Sequence, residues 1–365
     1  MGKLALNLDM YNRARAKEIT LSQLLEMEDP TPDGSKLNAY ERQLKEHGIV
    51  IQSVPERGIN ASKVDAFYRT DTSKVLFPEF IGMNLREAMI AESILPYLIA
   101  TTTTIDSNAY KTIYCKDTDT NKKAAQKKRV TEASELPKAK LVTAENNVKI
   151  YKYGRLIEAS YEVVRRMKID KLALHVRRLG QQSAVDETED AISTIINGDG
   201  NDGTPATELK NRTLDATAAA GTLSKAAWLK FLLKFYPYQA NTIVADEDGL
   251  IQILDILYPD SATQMMDFLL RGASISAKVE MPQGLWQNVT LLYSPIMADN
   301  KKNGHTTILG IDKRYTLEKI VEAGSDISEA AQFITNQTKV LTVSENAGFA
   351  CIMGGMGSAK TLEID

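Results

Sequence analysis

Residues Gly354 to Thr361 come within one substitution of a phosphate-binding loop, with Lys360-Thr361 in place and Ala359 where a second glycine belongs. Such a loop works because a helix follows it and turns its free N–H groups toward the phosphates. Only Leu362 to Asp365 come after, so a flexible tail is expected there and no nucleotide site. Asn197, Asp199, Asn201 and Glu208 fall at the 1, 3, 5 and 12 spacing of a calcium-binding loop. Asp202 occupies the sixth position, where the turn needs glycine, so the run reads as the stop of a helix. His47, His175 and His305 share no ligand spacing with Cys115 or Cys351. No nucleophile elbow occurs, and no pair of carboxylates stands out for acid–base work. The sequence therefore predicts no catalytic residue, no cofactor and no metal.

The remaining chemistry is charge. The chain has 365 residues and a net charge of −3, which gives the whole molecule no general attraction for nucleic acid or anionic lipid. The charge is unevenly spread. Lys111 to Lys152 carries a local balance of +6, leaving −9 for the rest. Lys122, Lys123, Lys127, Lys128 and Arg129 form its densest cluster, with no interleaved aromatic residues to stack on single-stranded nucleic acid. Asp186, Glu187, Glu189 and Asp190 form an acidic run elsewhere. A basic segment and an acidic face on one chain permit head-to-tail contact between copies, although charge runs are commonly only solvated surface.

No apolar run reaches the roughly 20 residues of a membrane helix. The N-terminus lacks a secretory pattern, and Leu6 stands where a myristoylation signal wants Ser or Thr. Two cysteines make no disulfide framework, so a reducing cytoplasm is the default compartment.

The elements that must position these groups begin with two short helices. Thr20-Leu21-Ser22-Gln23 forms a capping box, and a second helix is expected over 36–47. Their apolar faces are narrow, so they should dock on something else or on another chain. Residues 49–82 read as mixed and extended, with Pro78 denying helix around Val75–Phe80, and Asn84 caps the helix that follows. Residues 106–148 are polar and lysine-rich between strand-like ends, Tyr110–Cys115 and Asn147–Glu158, which suggests a two-stranded ribbon with a basic tip. Ser160 caps a short helix and Asp170 a long one, in which Leu172, Val176, Leu179, Ala184, Thr188, Ala191 and Ile195 recur at helical spacing. Asn197-Gly198 supplies its left-handed stop. Residues 198–221 read as linker, and strands then alternate with helices through 310. The tail shows strand-like runs at Tyr315–Val321, Lys339–Val343 and Phe349–Met353, the last two separated by a turn at 345–348.

This order resembles the Hong Kong 97-type major capsid protein of tailed bacteriophages. The likeness is carried by Gly154-Arg155-Leu156-Ile157-Glu158-Ala159-Ser160 before the helices, by Leu174-His175-Val176-Arg177-Arg178-Leu179-Gly180 within the long one, by Asn197-Gly198-Asp199-Gly200 closing it, and by an extended Leu76–Ile81. The resemblance implies an α+β fold with an N-terminal arm over 1–80, which could include a scaffold-like helical segment. A helix and strand over 81–105 lead to an extended β-hairpin loop, the E-loop, over 106–149. The peripheral domain with its long spine helix then spans 150–214, the axial α/β domain 215–311, and a return to the peripheral domain 312–365. It also implies a structural protein with no enzymatic activity. Copies would self-assemble into hexamers and pentamers of an icosahedral head in the host cytoplasm. They would contact packaged double-stranded DNA non-specifically, together with portal and decoration or scaffolding proteins, and no membrane. An encapsulin-like compartment is the alternative. Expected contacts between subunits are Lys122, Lys123, Lys127, Lys128 and Arg129 against Asp186, Glu187, Glu189 and Asp190, with Phe77 and Phe80 in the arm.

Overall fold

The computed structural model describes the chain apart from residues 1–5, 116–131, 133–140, 144–145, 202–204, 258–275, 280–288, 353–356 and positions 8, 18, 33, 36, 55, 57, 108, 326, 334 and 336. The described helices are α1 (Asp9–Ala16), α2 (Leu21–Glu28), α3 (Ala39–Glu46), α4 (Asp71–Lys74), α5 (Leu76–Glu92), α6 (Tyr161–Arg166), α7 (Ile169–Asn197), α8 (Asn211–Leu214), α9 (Lys225–Leu233), α10 (Glu247–Leu257) and α11 (Ile296–Asp299). The strands are β1 (Ile99–Ile105), β2 (Ile113–Cys115), β3 (Leu141–Thr143), β4 (Ile150–Ser160), β5 (Thr207–Lys210), β6 (Thr242–Ala245), β7 (Ser276–Val279), β8 (Val289–Tyr293), β9 (Thr307–Ile311), β10 (Leu317–Glu322), β11 (Ile327–Phe333), β12 (Thr338–Cys351) and β13 (Ala359–Glu363). One sheet has the order β1-β10-β12-β11 with β4 also on β12, another β5-β13-β9-β6-β8-β7, and β2 pairs with β3 in a third. The chain divides into two compact units, residues 1–93, 151–187 and 321–347, and residues 94–150, 188–320 and 348–365.

In the first unit the N-terminal helices are not loosely tethered, as the narrow apolar faces suggested. Leu21, Leu24, Leu25, Tyr40 and Leu44 are buried in one cluster with Phe67, Leu76, Phe80 and Ile81. The surface those faces need is α5 of the same chain. The expected capping box at Thr20 is present, and Asn38 with Glu41 forms a second one at α3. Residues 71–74 and 76–82 are helical where extended chain was expected, and the latter lead without a break into the helix expected from Asn84. Pro78 lies in the first turn of α5, where its missing N–H has no helical partner to lose. The Tyr11 hydroxyl donates to Val75 O at 2.8 Å and accepts from Glu79 N–H at 3.1 Å, and Tyr40 Oη donates to Leu76 O at 2.8 Å. These distant hydroxyls hold the helix start. Asn84 is interior, not a cap, and its Nδ2 donates to Phe80 O.

The long helix α7 starts at Ile169, one residue before the expected cap, and ends with Gly198 at φ +83°. Its expected stripe is borne out: Val176, Ala184, Thr188, Ala191 and Ile195 are buried. At Gly180 a Cβ would stand 2.7 Å from Leu85 O and 2.8 Å from Ala88 Cβ, so glycine lets α5 cross α7 at backbone distance.

In the second unit the central strands β13, β9 and β6 of the six-stranded sheet are buried on both faces. Ile243, Leu291, Ile308 and Leu362 pack with Trp228, Phe231 and Ile253 of α9 and α10. Their neighbours in sequence, Val244, Leu292 and Leu309, pack with Ala191, Ile192 and Ile195 of α7. Period-two alternation sorts the two cores. Two expectations fail here. Residues 207–210 are strand β5 and not linker, and the tail after 358 is β13, hydrogen-bonded to β5 on one side and β9 on the other. The expected turn at 345–348 is also absent, because β12 runs through it; Gly348 leaves no room for a Cβ, which would lie 2.5 Å from Lys149 O.

Gly180→Ala should destabilise the unassembled subunit by about 1–3 kcal/mol in urea unfolding, since overpacking against a backbone outweighs the gain in helix propensity. Leu362→Ala should cost about 2–5 kcal/mol as a core truncation; a loss below about 0.5 kcal/mol would restore the flexible tail.

Candidate assembly surface

The basic cluster Lys122, Lys123, Lys127, Lys128 and Arg129 lies outside the described residues. Its base is visible. β2 and β3 pair antiparallel, with Ile113 opposite Thr143 and Cys115 opposite Leu141. Sequence analysis gave the returning strand as 147–158; the structure places it at 141–143, while β4 pairs with β12. A bridge between Tyr110 and Val148 closes the root, where Val148 is buried with Ile320 and Ala350. The Tyr110 hydroxyl donates to Glu318 Oε1 at 3.1 Å, and the Thr103 hydroxyl donates to the same oxygen. Burial, then the Glu318 charge, pushes the Tyr110 pKa up. Beyond this root Ile113 is 64% exposed, and β2–β3 joins no third strand among the described residues.

The acidic run does not form one face. Each helical residue turns about 100°, so consecutive acids point apart. Glu187 is buried, Glu189 is exposed and Asp190 lies between. Asp186 Oδ2 accepts from Arg155 at 2.7 Å, whose other nitrogen donates to Gln182 at 2.9 Å. Phe77 and Phe80 are core residues as well. Their rings lie 5.4 and 5.5 Å from Phe67, and both are buried within this chain.

The groups with metal-loop spacing are committed elsewhere. Asp199 Oδ1 accepts from Asn201 N–H and Oδ2 from Cys351 N–H, while Asn201 Oδ1 accepts from Asn146 N–H. They bind the end of α7 to neighbouring backbone. Among the described residues no group of His, Cys, Asp and Glu could hold a metal. Burial, then Asp199, pushes the Cys351 thiol well above its ordinary range, so it stays protonated. No described helix is long and apolar enough to cross a membrane.

Sequence reasoning missed one site. An apolar cleft of about 270 Å³ opens in the first unit, lined by Phe77, Ile81, Ile157, Val164, Met167 and Leu172 among others. Lys339 stands in its wall. Its Nζ is 2.9 Å from the centre of the Tyr68 ring and 5.7 Å from that of Tyr161. Burial pushes the ammonium down to about 8, with Asp65 opposing the shift and Lys74 adding to it. The same burial raises the Tyr68 hydroxyl. Among the described residues no carboxylate comes within ion-pairing distance of Lys339. In Thr338-Lys339-Val340 it reads as one more surface lysine, because the rings that surround it come from distant segments.

A family model described as phage capsid protein matches residues 143–345. No curated protein matches the chain. Among solved structures, the capsid of a native GTA particle aligns with TM-score 0.50 and 12% identity over 74% of this chain and 89% of that one. The capsid of the cyanophage P-SCSP1u aligns with TM-score 0.46 and 12% identity over 74% and 88%. The holo-SrpI encapsulin complex of Synechococcus elongatus PCC 7942 gives TM-score 0.46 and 11% identity over 74% and 86%. The family match covers more than half the chain, and the α+β architecture agrees with it. The chain belongs to the phage capsid protein family, as a structural, non-enzymatic major capsid protein of the Hong Kong 97 type and a component of the virion capsid.

Proposed function

We propose that copies of this chain form hexamers and pentamers that close into an icosahedral head around double-stranded DNA, assembled in the host cytoplasm with portal and decoration or scaffolding proteins. Residues 106–149 act as the E-loop and lie across a neighbouring subunit. Residues 150–206 and 312–347 serve as the peripheral domain and 207–311 with 348–365 as the axial one, because β5 and β13 lie in one sheet with β6, β8 and β9. The observation that carries the reading is the β2–β3 pair, which is rooted in a buried cluster and has no third strand among the described residues. A two-stranded ribbon is marginal in water and gains stability when another surface covers it. Shell closure then rests on many modest contacts repeated around a symmetric assembly. DNA contact is non-specific, through backbone phosphates. Within the proposed arm, α1, α2 and α3 pack on their own chain.

The basic tip meets acid on the adjacent subunit. Glu189, exposed on α7, is the first candidate there, with Asp186 shared with Arg155. Lys127→Glu with Lys128→Glu should reduce closed shells in negative-stain images and flatten the dependence of assembly on salt, because exposed charges are screened over about 8–10 Å at physiological ionic strength. Equal shells at every salt concentration reject this contact. Shells holding a protein guest and no genome would turn the reading toward an enzyme compartment.

A further inference from the structure

The cleft beside Lys339 is an unfinished binding site. Taking an ammonium out of water costs free energy unless a carboxylate or a set of acceptors replaces the lost hydration. Two aromatic faces recover part of that cost as cation–π contacts and Asp65 acts on it at longer range, but no described carboxylate pairs directly with it. Beside the cation lies apolar surface from four segments, contributed by Phe77, Ile81, Ile157, Val164, Met167 and Leu172. An occupant must therefore present an apolar side chain next to an anion.

We propose that this cleft docks a second copy of the chain, which inserts an apolar side chain and pairs a neighbouring carboxylate with Lys339. The proposal rests on the shell reading, which supplies the second copy. The chain carries surface features of the required kind. Val185 is 48% exposed, and Glu189, one helical turn on along α7, is exposed beside it. The cleft also lies at the end of β4, which pairs with β12 alone among the described strands. The ion pair forms as the docked segment excludes water, where a charge-assisted contact is strongest.

The test separates subunit folding from assembly. Lys339→Met removes a poorly hydrated cation and keeps the side chain's length, so the unassembled subunit should unfold at the same or higher urea concentration than wild type. Its critical concentration for shell formation should rise at least about tenfold, the scale of losing one partner of a buried charge pair. Val163→Asp, in the cleft wall, should give the same split by offering Lys339 a carboxylate from its own chain. A pH series gives a second readout. The groups around Lys339 are Tyr68, Tyr161, Asp65, Lys74, Glu158 and His175. Folding lowers the Lys339 pKa to about 8, whereas the unfolded chain holds that proton to about 10.4. Wild-type subunits should therefore gain stability between those values as pH rises, and Lys339→Met should lose that gain. Pairing with a carboxylate raises the pKa again, so wild-type assembly should weaken as pH rises above about 8. If both variants assemble at the wild-type concentration, the docking is wrong and the shell reading stands. A wild-type chain that stays monomeric at high concentration overturns both.

Discussion

The structure depends on the apolar stripe of the long helix. Ile169, Ala173 and Val176 enter the core of the first unit, and Ala191, Ile192 and Ile195 enter that of the second. Small residues dominate where other backbones come closest, with Gly180 the extreme case. Larger ones fill the end that meets the six-stranded sheet. Each part of the stripe is held by its own set of buried neighbours, which sets the register of the helix in that unit. Polar contacts tie its two ends to other segments: the Ser53 hydroxyl donates to Asp170, and Asp199, just past the helix, accepts from Cys351 N–H.

Much of this could be read in the residue order. The stripe of α7, its stop at Gly198 and the capping boxes follow from local rules that need only a few consecutive residues. The strands β6, β8 and β9 were legible because short apolar runs between turn residues have few other uses. The errors share one cause, which is that a distant segment decided the outcome. Pro78 was read as a helix breaker, yet hydroxyls from Tyr11 and Tyr40 hold the turn in which it sits. Residues 359–363 looked like tail because their two strand partners lie about 50 and 150 residues earlier. The acidic run is divided over several faces of its helix. Four acids in five positions make a patch on a line, whereas a helix spreads them around a circle.

The assembly surface was legible mainly as a division of labour between segments. Charge asymmetry marked 111–152 as unusual, and the structure shows that segment's root held by buried Val148 and by hydrogen bonds to Glu318. The aromatic seat of Lys339 left no trace in the sequence. Tyr68, Tyr161 and Lys339 come from three separate regions, and each has an ordinary local context. Only the folded neighbours bring two ring faces to this partly buried cation.

The place of β13 in the middle of its sheet bears on when a subunit becomes complete. β5 and β9 emerge from the ribosome first, yet neither can pair with the other, because residues 359–363 must lie between them. The gap stays open until translation has passed that point. A chain made only as far as β9 therefore holds an unclosed sheet, and β5 joins it only through residues 359–363.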